Sequence, residues 1–459
     1  MKTLDMTQGK PFSLILRFAI PLLIGTLFQQ VYNLVDTMIV GYGLDENAVG
    51  AIGATSALYS VIVYFATGMN NGFGVILARL FGGKQYDQMK KAFASMILLD
   101  AAISLTLTVI ALPLLRPLLT LLDTPADIFD QAYQYIFVII AGMITTIAYN
   151  MGAGFLRAVG NSRTPLYFLI LSCGINLSLD CLFVLVLSWG VAGAAMATVI
   201  AQAVSAFCCI AFIVRHYGEF LPEKSDWKPE WALVCEMLNT GLSMGLMSSV
   251  VSLGSIVLQR GINQLGTTLV TAHTASRRIY EMLMMPLSTI GSAAATFVSQ
   301  NYGAGERDRI RVGIRQVAAV QLLWSLFSVL VAFTLGRQLI HLLIGTTDTA
   351  IIENAALNLR VCTLFFFPLG LLLMLRNAMQ PMGHKIAPVV SSSIELLVKV
   401  IFSLSLVPRM GYLGVVITEP IIWVLCFVYL LVIYIVSDKK EAKKGGLCYD
   451  GTGEIGCRA

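Results

Sequence analysis

Charged residues are scarce in this 459-residue chain. Asp, Glu, Lys and Arg together make up 12% of the sequence, against about 25% in an average soluble protein. Hydrophobic residues make up 57%. A soluble fold could not keep that much apolar surface out of water, so we expect the lipid bilayer to be the solvent. The composition therefore indicates a membrane protein.

Motifs of several enzyme and cofactor classes are also missing. The sequence has no HExxH zinc motif, no GxxxxGK[ST] phosphate loop and no DDxxD-like acidic pair. Its nine cysteines include no CxxC pair, which indicates neither a disulfide framework nor a zinc site. We therefore expect no enzyme and no cofactor, and the missing phosphate loop argues against ATP as the energy source.

Apolar segments long enough to cross a bilayer, about 20 residues each, recur along the whole chain. We predict an all-α polytopic protein with twelve transmembrane helices. The predicted segments are 14–40, 49–77, 93–115, 135–156, 165–187, 191–214, 233–258, 268–298, 314–335, 361–379, 388–407 and 413–436.

The placement of the basic residues predicts the topology. With the N-terminus inside, most Lys and Arg fall on inner connections, whereas the outer ones carry only Arg116, Arg260, Arg337 and Arg409, with Arg360 nearby. Positive charge accumulates on the cytoplasmic side of membrane proteins. We therefore expect both termini in the cytoplasm of a cell-membrane protein. Basic loops of this kind signal topology, so we expect no nucleic-acid partner.

The two halves of the chain repeat each other at an offset of about 221 residues. Phe81-Gly-Gly, followed by Asp87, matches Tyr302-Gly-Ala, followed by Asp308, and Gly160-x4-Pro165 matches Gly383-x4-Pro388. Each unit has six segments, an even number, so both copies enter the membrane in the same orientation. We predict two six-helix bundles, 10–214 and 231–437, a cytoplasmic linker at 215–230 and a disordered tail at 438–459.

Polar side chains inside the spans of the first half indicate ion coupling. Asp36 lies in segment 1 and Asp180 in segment 5, and a buried charge is costly there. Asn176 shares the helix face of Asp180, and Thr198 lies at similar depth in segment 6. In segment 1, a polar stripe at helical spacing consists of Gln29, Tyr32, Asn33 and Asp36.

This group suits either of two ions. Paired carboxylates raise each other's proton affinity, and hard oxygen ligands also suit Na⁺. The alternative is that Asp36 and Asp180 are each satisfied by local hydrogen bonds that fix helix packing. The repeat favours ion coupling over a packing role, because the second copy has Ile256 where the first has Asp36.

Charges in the second half mostly have a partner at helical spacing. Glu395 can pair with Lys399 at i,i+4, and Arg277 or Arg278 can pair with Glu281. Glu419 stands at the repeat position of Thr198 and has no partner nearby in the sequence. Glu281 and Glu419, together with Gln29 and Asn33, are our candidates for contact with a substrate.

Proline inside segment 1 predicts a hinge or a fixed kink. Pro21 removes one helical hydrogen bond about four turns from Asp36. It could let the segment bend when Asp36 changes its charge.

At these residues the sequence resembles the multidrug and toxic compound extrusion (MATE) family over about residues 10–437. The resemblance is carried by Pro21, by Asp36 within Val35-Asp36-Thr37-Met38, by Leu156-Arg157-Ala158-Val159-Gly160-Asn161, by Asn176 with Asp180, and by Thr198.

The resemblance implies antiport of cationic or amphipathic organic compounds against H⁺ or Na⁺. It implies a cation site in the first bundle formed by Asp36, Asn176, Asp180 and Thr198, with Tyr32 nearby. One branch of the family has a glutamate of a second Na⁺ site on segment 7, where this chain has only Glu236, at the cytoplasmic edge.

We expect the protein to act as a monomer among membrane lipids, with small organic cations as substrates. A rival from a related two-bundle fold is a flippase for lipid-linked precursors. It would be expected to hold pyrophosphate with several unpaired basic residues in the central cleft, whereas the basic residues inside this membrane domain lie mostly beside carboxylates.

Overall fold

The protein is helical almost throughout the part described by the computed structural model, which comprises residues 3–44, 46–444, 447–449 and 455–457. The helices are α1 Pro11–Gly43, α2 Glu46–Gly82, α3 Tyr86–Leu121, α4 Phe129–Ala141, α5 Met143–Ala158, α6 Arg163–Asp180, α7 Gly190–His216, α8 Trp231–Asn263, α9 Thr267–Gly303, α10 Arg307–Thr334, α11 Gly336–Ile344, α12 Thr349–Leu364, α13 Phe366–Met379, α14 Ile386–Met410 and α15 Tyr412–Lys444. A π-helical turn covers Cys181–Val186, a 3-10 turn covers Gly218–Phe220, and two short antiparallel strands cover Leu447–Tyr449 and Ile455–Cys457.

Twelve membrane crossings result from these helices. Ten described helices are long and apolar enough to cross a bilayer singly. The other two crossings are bent pairs: α4 and α5 meet at 46°, and α12 and α13 meet at 55°. The bends fall in predicted segments 4 and 10, which occupy the same place in the two repeats. The predicted all-α fold with twelve spans is confirmed.

The two copies keep the same turns and differ in one helix. Gly160 and Gly383 both have positive φ, at 84° and 86°, and so do Gly190 and Gly411, at 63° and 59°. The first pair is 223 residues apart and the second 221. The first copy therefore has two more residues between Gly160 and Gly190 than the second has between Gly383 and Gly411. The first copy follows α6 with the π-helical turn, whereas α14 in the second is an unbroken α-helix. The π-helical turn lies in the stretch of the first copy that holds the two extra residues.

The bundles meet most closely at the membrane end where the loops carry most of the Lys and Arg, here called the basic end. Glycines remove side chains from this contact. A Cβ added to Gly82 would lie 2.0 Å from the Gln300 carbonyl oxygen, and one added to Gly303 would lie 1.8 Å from the Arg79 carbonyl oxygen. Helix backbones can approach this closely only where both faces carry small residues.

The chain before α1 also takes part in the contact between the bundles at the basic end. The Met6 amide donates to Gln300 Oε1 at 2.8 Å, while Gln300 Nε2 donates to the Ala158 carbonyl at 2.9 Å. Gln300, from the second bundle, therefore holds both the N-terminal segment and the first bundle. The first half of α1 also packs into the core of the second bundle, where Phe18 joins Phe297.

The last helix is longer than predicted. Helix α15 continues to Lys444, so residues 438–444 are helical rather than part of a disordered tail. Lysine, glutamate and alanine are good helix formers, and the run from Lys439 to Lys444 consists only of these. The rest of the predicted tail, apart from the two strands, lies outside the described residues. Between α7 and α8 the chain forms the 3-10 turn and irregular structure, and α8 begins directly after the predicted linker.

Candidate cation and substrate site

A polar cavity of about 450 Å³ lies inside the first bundle, among α1, α2, α4, α5, α6 and α7. It is lined by Thr26, Gln29, Gln30, Tyr32, Asn33, Asp36, Thr37, Tyr59, Tyr64, Tyr135, Tyr149, Leu169, Ser172, Cys173, Asn176, Thr198, Ala201, Gln202 and Ser205. A second cavity of about 330 Å³ shares several of these residues and extends to Arg157. The polar stripe of α1 faces this space, including the predicted substrate residues Gln29 and Asn33.

Four of the five residues predicted for cation coupling line this cavity, and the fifth, Asp180, joins them through Asn176. The Asn176 amide forms hydrogen bonds with the Tyr32 hydroxyl and with Thr198. When the amide nitrogen faces Asp180, the orientation that satisfies both ends of the amide, it donates to Asp180 Oδ2 at 2.7 Å. The amide oxygen then accepts from the Thr198 hydroxyl at 3.3 Å. Helices α1, α6 and α7 thus each contribute to one connected polar group.

The two aspartates of this group are near neighbours. The carboxyl groups of Asp36 and Asp180 lie within hydrogen-bonding reach of each other. One oxygen on each is buried without a hydrogen-bond partner among the described residues. Two negative charges about 4 Å apart repel by about 4 kcal/mol at an effective dielectric constant of 20. Such a pair favours a shared proton or a bound cation.

The cavity offers no internal counter-charge for these carboxylates. None of the residues that line it is Lys, Arg or His. Its donor set consists of carboxylate, amide, hydroxyl and phenol oxygens, which suit Na⁺, and its apposed carboxyl groups suit a shared proton. The residues predicted to hold Na⁺, namely Asp36, Asn176, Asp180 and Thr198, thus fit either ion.

Aromatic residues that sequence reasoning did not single out form much of the remaining wall. Tyr59 and Tyr64 come from α2, Tyr135 from α4 and Tyr149 from α5. Tyrosine faces attract organic cations. They lie on apolar helices far apart in sequence, and only the packing of the bundle brings them together. The predicted hinge, Pro21, lies inside α1 and lines the neighbouring cavity.

The second bundle pairs its charges internally. Two predicted ion pairs are confirmed: Lys399 Nζ lies 3.0 Å from Glu395 Oε1, and Arg277 Nε lies 2.7 Å from Glu281 Oε1. Glu419, which has no partner nearby in the sequence, is paired in the fold, because Lys399 Nζ lies 3.1 Å from its Oε1. That partner comes from the neighbouring helix, so sequence spacing could not identify it.

One further buried carboxylate was missed. Asp100 on α3 is 3% exposed, and its Oδ1 accepts from Asn70 Nδ2 on α2 at 3.0 Å. It lies outside the lining of both cavities of the first bundle. The sequence signal was present, since Asp100 is the only charged residue within segment 93–115.

The chain also contains one sequence motif that is typical of some enzymes. Gly241-Leu-Ser243-Met-Gly245 has the spelling of a GxSxG nucleophile elbow. Such an elbow needs a sharp turn from a strand into a helix, whereas Ser243 lies within α8. Its hydroxyl donates to the Lys385 carbonyl at 2.6 Å. The serine therefore has a structural role.

Comparison with known proteins agrees with this architecture. A sequence profile for the MatE family matches residues 21–182 and 244–404, one stretch in each repeat. The chain is 25% identical to the "Probable multidrug resistance protein YpnP" of Bacillus subtilis (strain 168), over 80% of this chain and 82% of that protein. It is 22% identical to the "Multidrug export protein MepA" of Staphylococcus aureus (strain N315), over 93% and 94% of the two chains.

Solved structures show the same fold. The structure described as "Crystal structure of MATE in the bent conformation" matches with a TM-score of 0.88 and 22% identity, and the match covers 96% of this chain and 99% of that one. The family profile covers more than half of the chain in two matching pieces, and the relatives extend along nearly all of it. The chain therefore belongs to the MatE family and is a multi-pass membrane transporter rather than an enzyme.

Proposed function

We propose that this protein is an antiporter that exports cationic or amphipathic organic compounds in exchange for H⁺ or Na⁺. Asp36 and Asp180 carry the coupling ion, Asn176 and Thr198 orient it, and Tyr32 holds the Asn176 amide. The proximity of Asp36, which lines a cavity without a basic side chain, to the fully buried Asp180 is the observation that carries the proposal.

Charge balance explains why the exchange would be obligatory. Two neighbouring acidic groups, one of them lining a cavity without a basic residue, favour binding of a proton, a metal ion or an organic cation. A substrate that needs the ionised carboxylates competes with the coupling ion for them. Each ligand then favours a different state of the transporter, as antiport requires.

The cavity walls favour aromatic cations as substrates. Five tyrosines and three glutamines surround a space of about 450 Å³, a size suited to a drug-like molecule. Gln29 and Asn33 are placed to contact a substrate directly. Glu281 and Glu419 are weaker candidates, because each is already paired with a basic residue.

Orientation and assembly complete the proposal. The bias of Lys and Arg supports a cytoplasmic location for both termini and the linker of a cell-membrane protein. The chain acts as a monomer surrounded by lipid, the first bundle carries the coupling ion, and Pro21 is the hinge of α1.

Efflux of ethidium from proteoliposomes under an imposed pH or Na⁺ gradient, one at a time, tests the coupling. Asp36→Asn and Asp180→Asn keep the side-chain size and remove the titratable charge, so each should abolish gradient-driven efflux. The matched control is Asp100→Asn, which changes a buried carboxyl group of the same bundle outside the cavity and should transport at the wild-type rate.

Two results would contradict the proposal. Wild-type rates in both Asp36→Asn and Asp180→Asn would remove the carboxyl pair from the coupling mechanism. Equal loss in Asp100→Asn would mean that any change of a buried carboxyl group disables the bundle, and the site would have no special role.

A further inference from the structure

A buried network of four charged side chains lies in the second bundle, outside the cavity of the proposed coupling site. Lys399 Nζ lies between Glu395 Oε1, at 3.0 Å, and Glu419 Oε1, at 3.1 Å. Arg376 holds the other Glu395 oxygen at 2.9 Å. Lys399 is only 2% exposed and Glu395 only 4%. Two positive and two negative groups make the network neutral.

The repeat places this network at the position of the proposed coupling site. The Gly160–Gly383 register aligns Asn176 with Lys399, and the Gly190–Gly411 register aligns Thr198 with Glu419. Both aligned pairs are in contact: Asn176 with Thr198 at 3.3 Å, and Lys399 with Glu419 at 3.1 Å. The same two positions therefore meet in both bundles, with neutral groups in one and opposite charges in the other.

A small residue on a neighbouring helix leaves space for the lysine side chain. Gly254 on α8 lies against its aliphatic chain, and a Cβ added there would be 2.9 Å from Lys399 Cδ. Ile256, the repeat mate of Asp36, supplies no carboxylate from α8. The second acid comes instead from Glu395 on α14, whose aligned residue in the first bundle is Ser172.

Other charged or titratable groups near the network do not change its balance. His273, Arg277 and Tyr280 on α9 and Cys362 on α12 line one small cavity together with Glu419. Cys426 on α15 faces Arg376 and Glu395. Arg277 has its own partner in Glu281, at 2.7 Å. Removal of the Lys399 charge alone would thus leave one buried negative charge in excess.

We infer that the Lys399 ammonium group is a tethered cation that permanently fills, in the second bundle, the position that a mobile coupling ion takes in the first. Glu395 and Glu419 are the ligands of this latent cation site. Because it compares this site with the coupling site of the first bundle, the inference rests on the proposed function.

One consequence concerns the number of coupling ions. Because the second site cannot release its lysine, only the first bundle exchanges ions with water. A chain without the lysine charge should bind a small monovalent cation at Glu395 and Glu419, whose oxygens already converge on one point.

Thermal unfolding in detergent or nanodiscs tests the latent site. The parent is Asp36→Asn/Asp180→Asn, which removes the carboxylates of the first site. Lys399→Met is added, because methionine approximates the length of lysine without its charge. Tm is measured in a Na⁺ series with choline replacement at fixed pH, and in a Na⁺-free pH series. These two arms distinguish Na⁺ from a proton.

We expect no saturable cation effect in the parent and a rise of about 3 °C in the Lys399→Met derivative at saturating cation. Further substitution of Glu419→Gln should remove that rise. A folded derivative without a cation effect, or an effect that survives Glu419→Gln, would overturn the inference. If the parent itself keeps the wild-type cation effect, the proposed function fails instead.

Failure to fold is also informative. A Lys399→Met derivative that folds only with added Na⁺ or low pH, or only with Glu419→Gln, supports the inference, because each restores charge balance. If Lys399→Met fails under all these conditions and the Glu419→Gln combination fails too, the ammonium is needed for packing rather than charge, and the inference is wrong.

Discussion

Replacement of Gly303 by alanine should open the contact between the two bundles at the basic end. The added Cβ would lie 1.8 Å from the Arg79 carbonyl oxygen, whereas ordinary contacts begin at 3.4 Å. The two backbones must therefore separate by roughly 1.5 Å to relieve the overlap. Separation would also strain the bonds of Gln300 to Met6 and Ala158 at the same contact.

The free-energy cost of the added methyl group depends on which atoms must move. Overpacking costs about 1–3 kcal/mol where side chains can yield. Here the opposing atom is backbone, so the upper value of about 3 kcal/mol applies. A cost of that size changes the ratio of closed to open molecules by about 100-fold. Gly82→Ala should act in the same way, since its Cβ would lie 2.0 Å from the Gln300 carbonyl oxygen.

Distance measurements between two spin labels would detect the change. Gln85 and Glu306 are exposed residues on either side of the contact, and both can be labelled as cysteines in a background without native cysteines. Gly303→Ala should shift the distance distribution to longer values. The matched control is Gly53→Ala on α2, where an added Cβ meets no atom within 4 Å. Identical distributions for folded wild type and Gly303→Ala would refute the reasoning.

Four other changes should have contrasting results. Asp100→Asn should leave Tm close to the wild-type value, because the asparagine oxygen can keep the hydrogen bond to its amide partner. Glu395→Ala should destabilise the fold by about 3–5 kcal/mol in denaturant or thermal unfolding, because it leaves the buried Arg376 charge without its carboxylate, whereas Lys90→Met, at an exposed ion pair, should have little effect. A cysteine at Lys224 should resist an impermeant maleimide applied to whole cells, and strong labelling would contradict a cytoplasmic linker.

Sequence patterns predicted the fold and the principal polar residues because both depend on short-range signals. Span length and the repeat fix the two six-helix units, and helical spacing joins Gln29 to Asn33 and Glu395 to Lys399. The repeat also drew attention to Asp36, since its mate is apolar. These features require only the local chain and one offset.

Contacts between helices distant in the sequence could not be predicted in this way. The Lys399–Glu419 pair joins two helices across a turn, and the Arg376–Glu395 pair joins two helices on either side of a loop. Neither spacing is a helical repeat. The bend at Gly142 between α4 and α5 was also missed, because the apolar run continues through it and hydropathy does not depend on backbone direction.

The neutral network of the second bundle has an electrical consequence. A charge carried across the membrane field gains or loses about 2.3 kcal/mol per 100 mV. Because Arg376 and Lys399 offset Glu395 and Glu419, movement of this network through the field performs almost no electrical work. The cavity of the first bundle has no basic residue in its lining to give such a balance, so in the proposed mechanism the membrane voltage acts on the protein mainly through Asp36, Asp180 and the coupling ion.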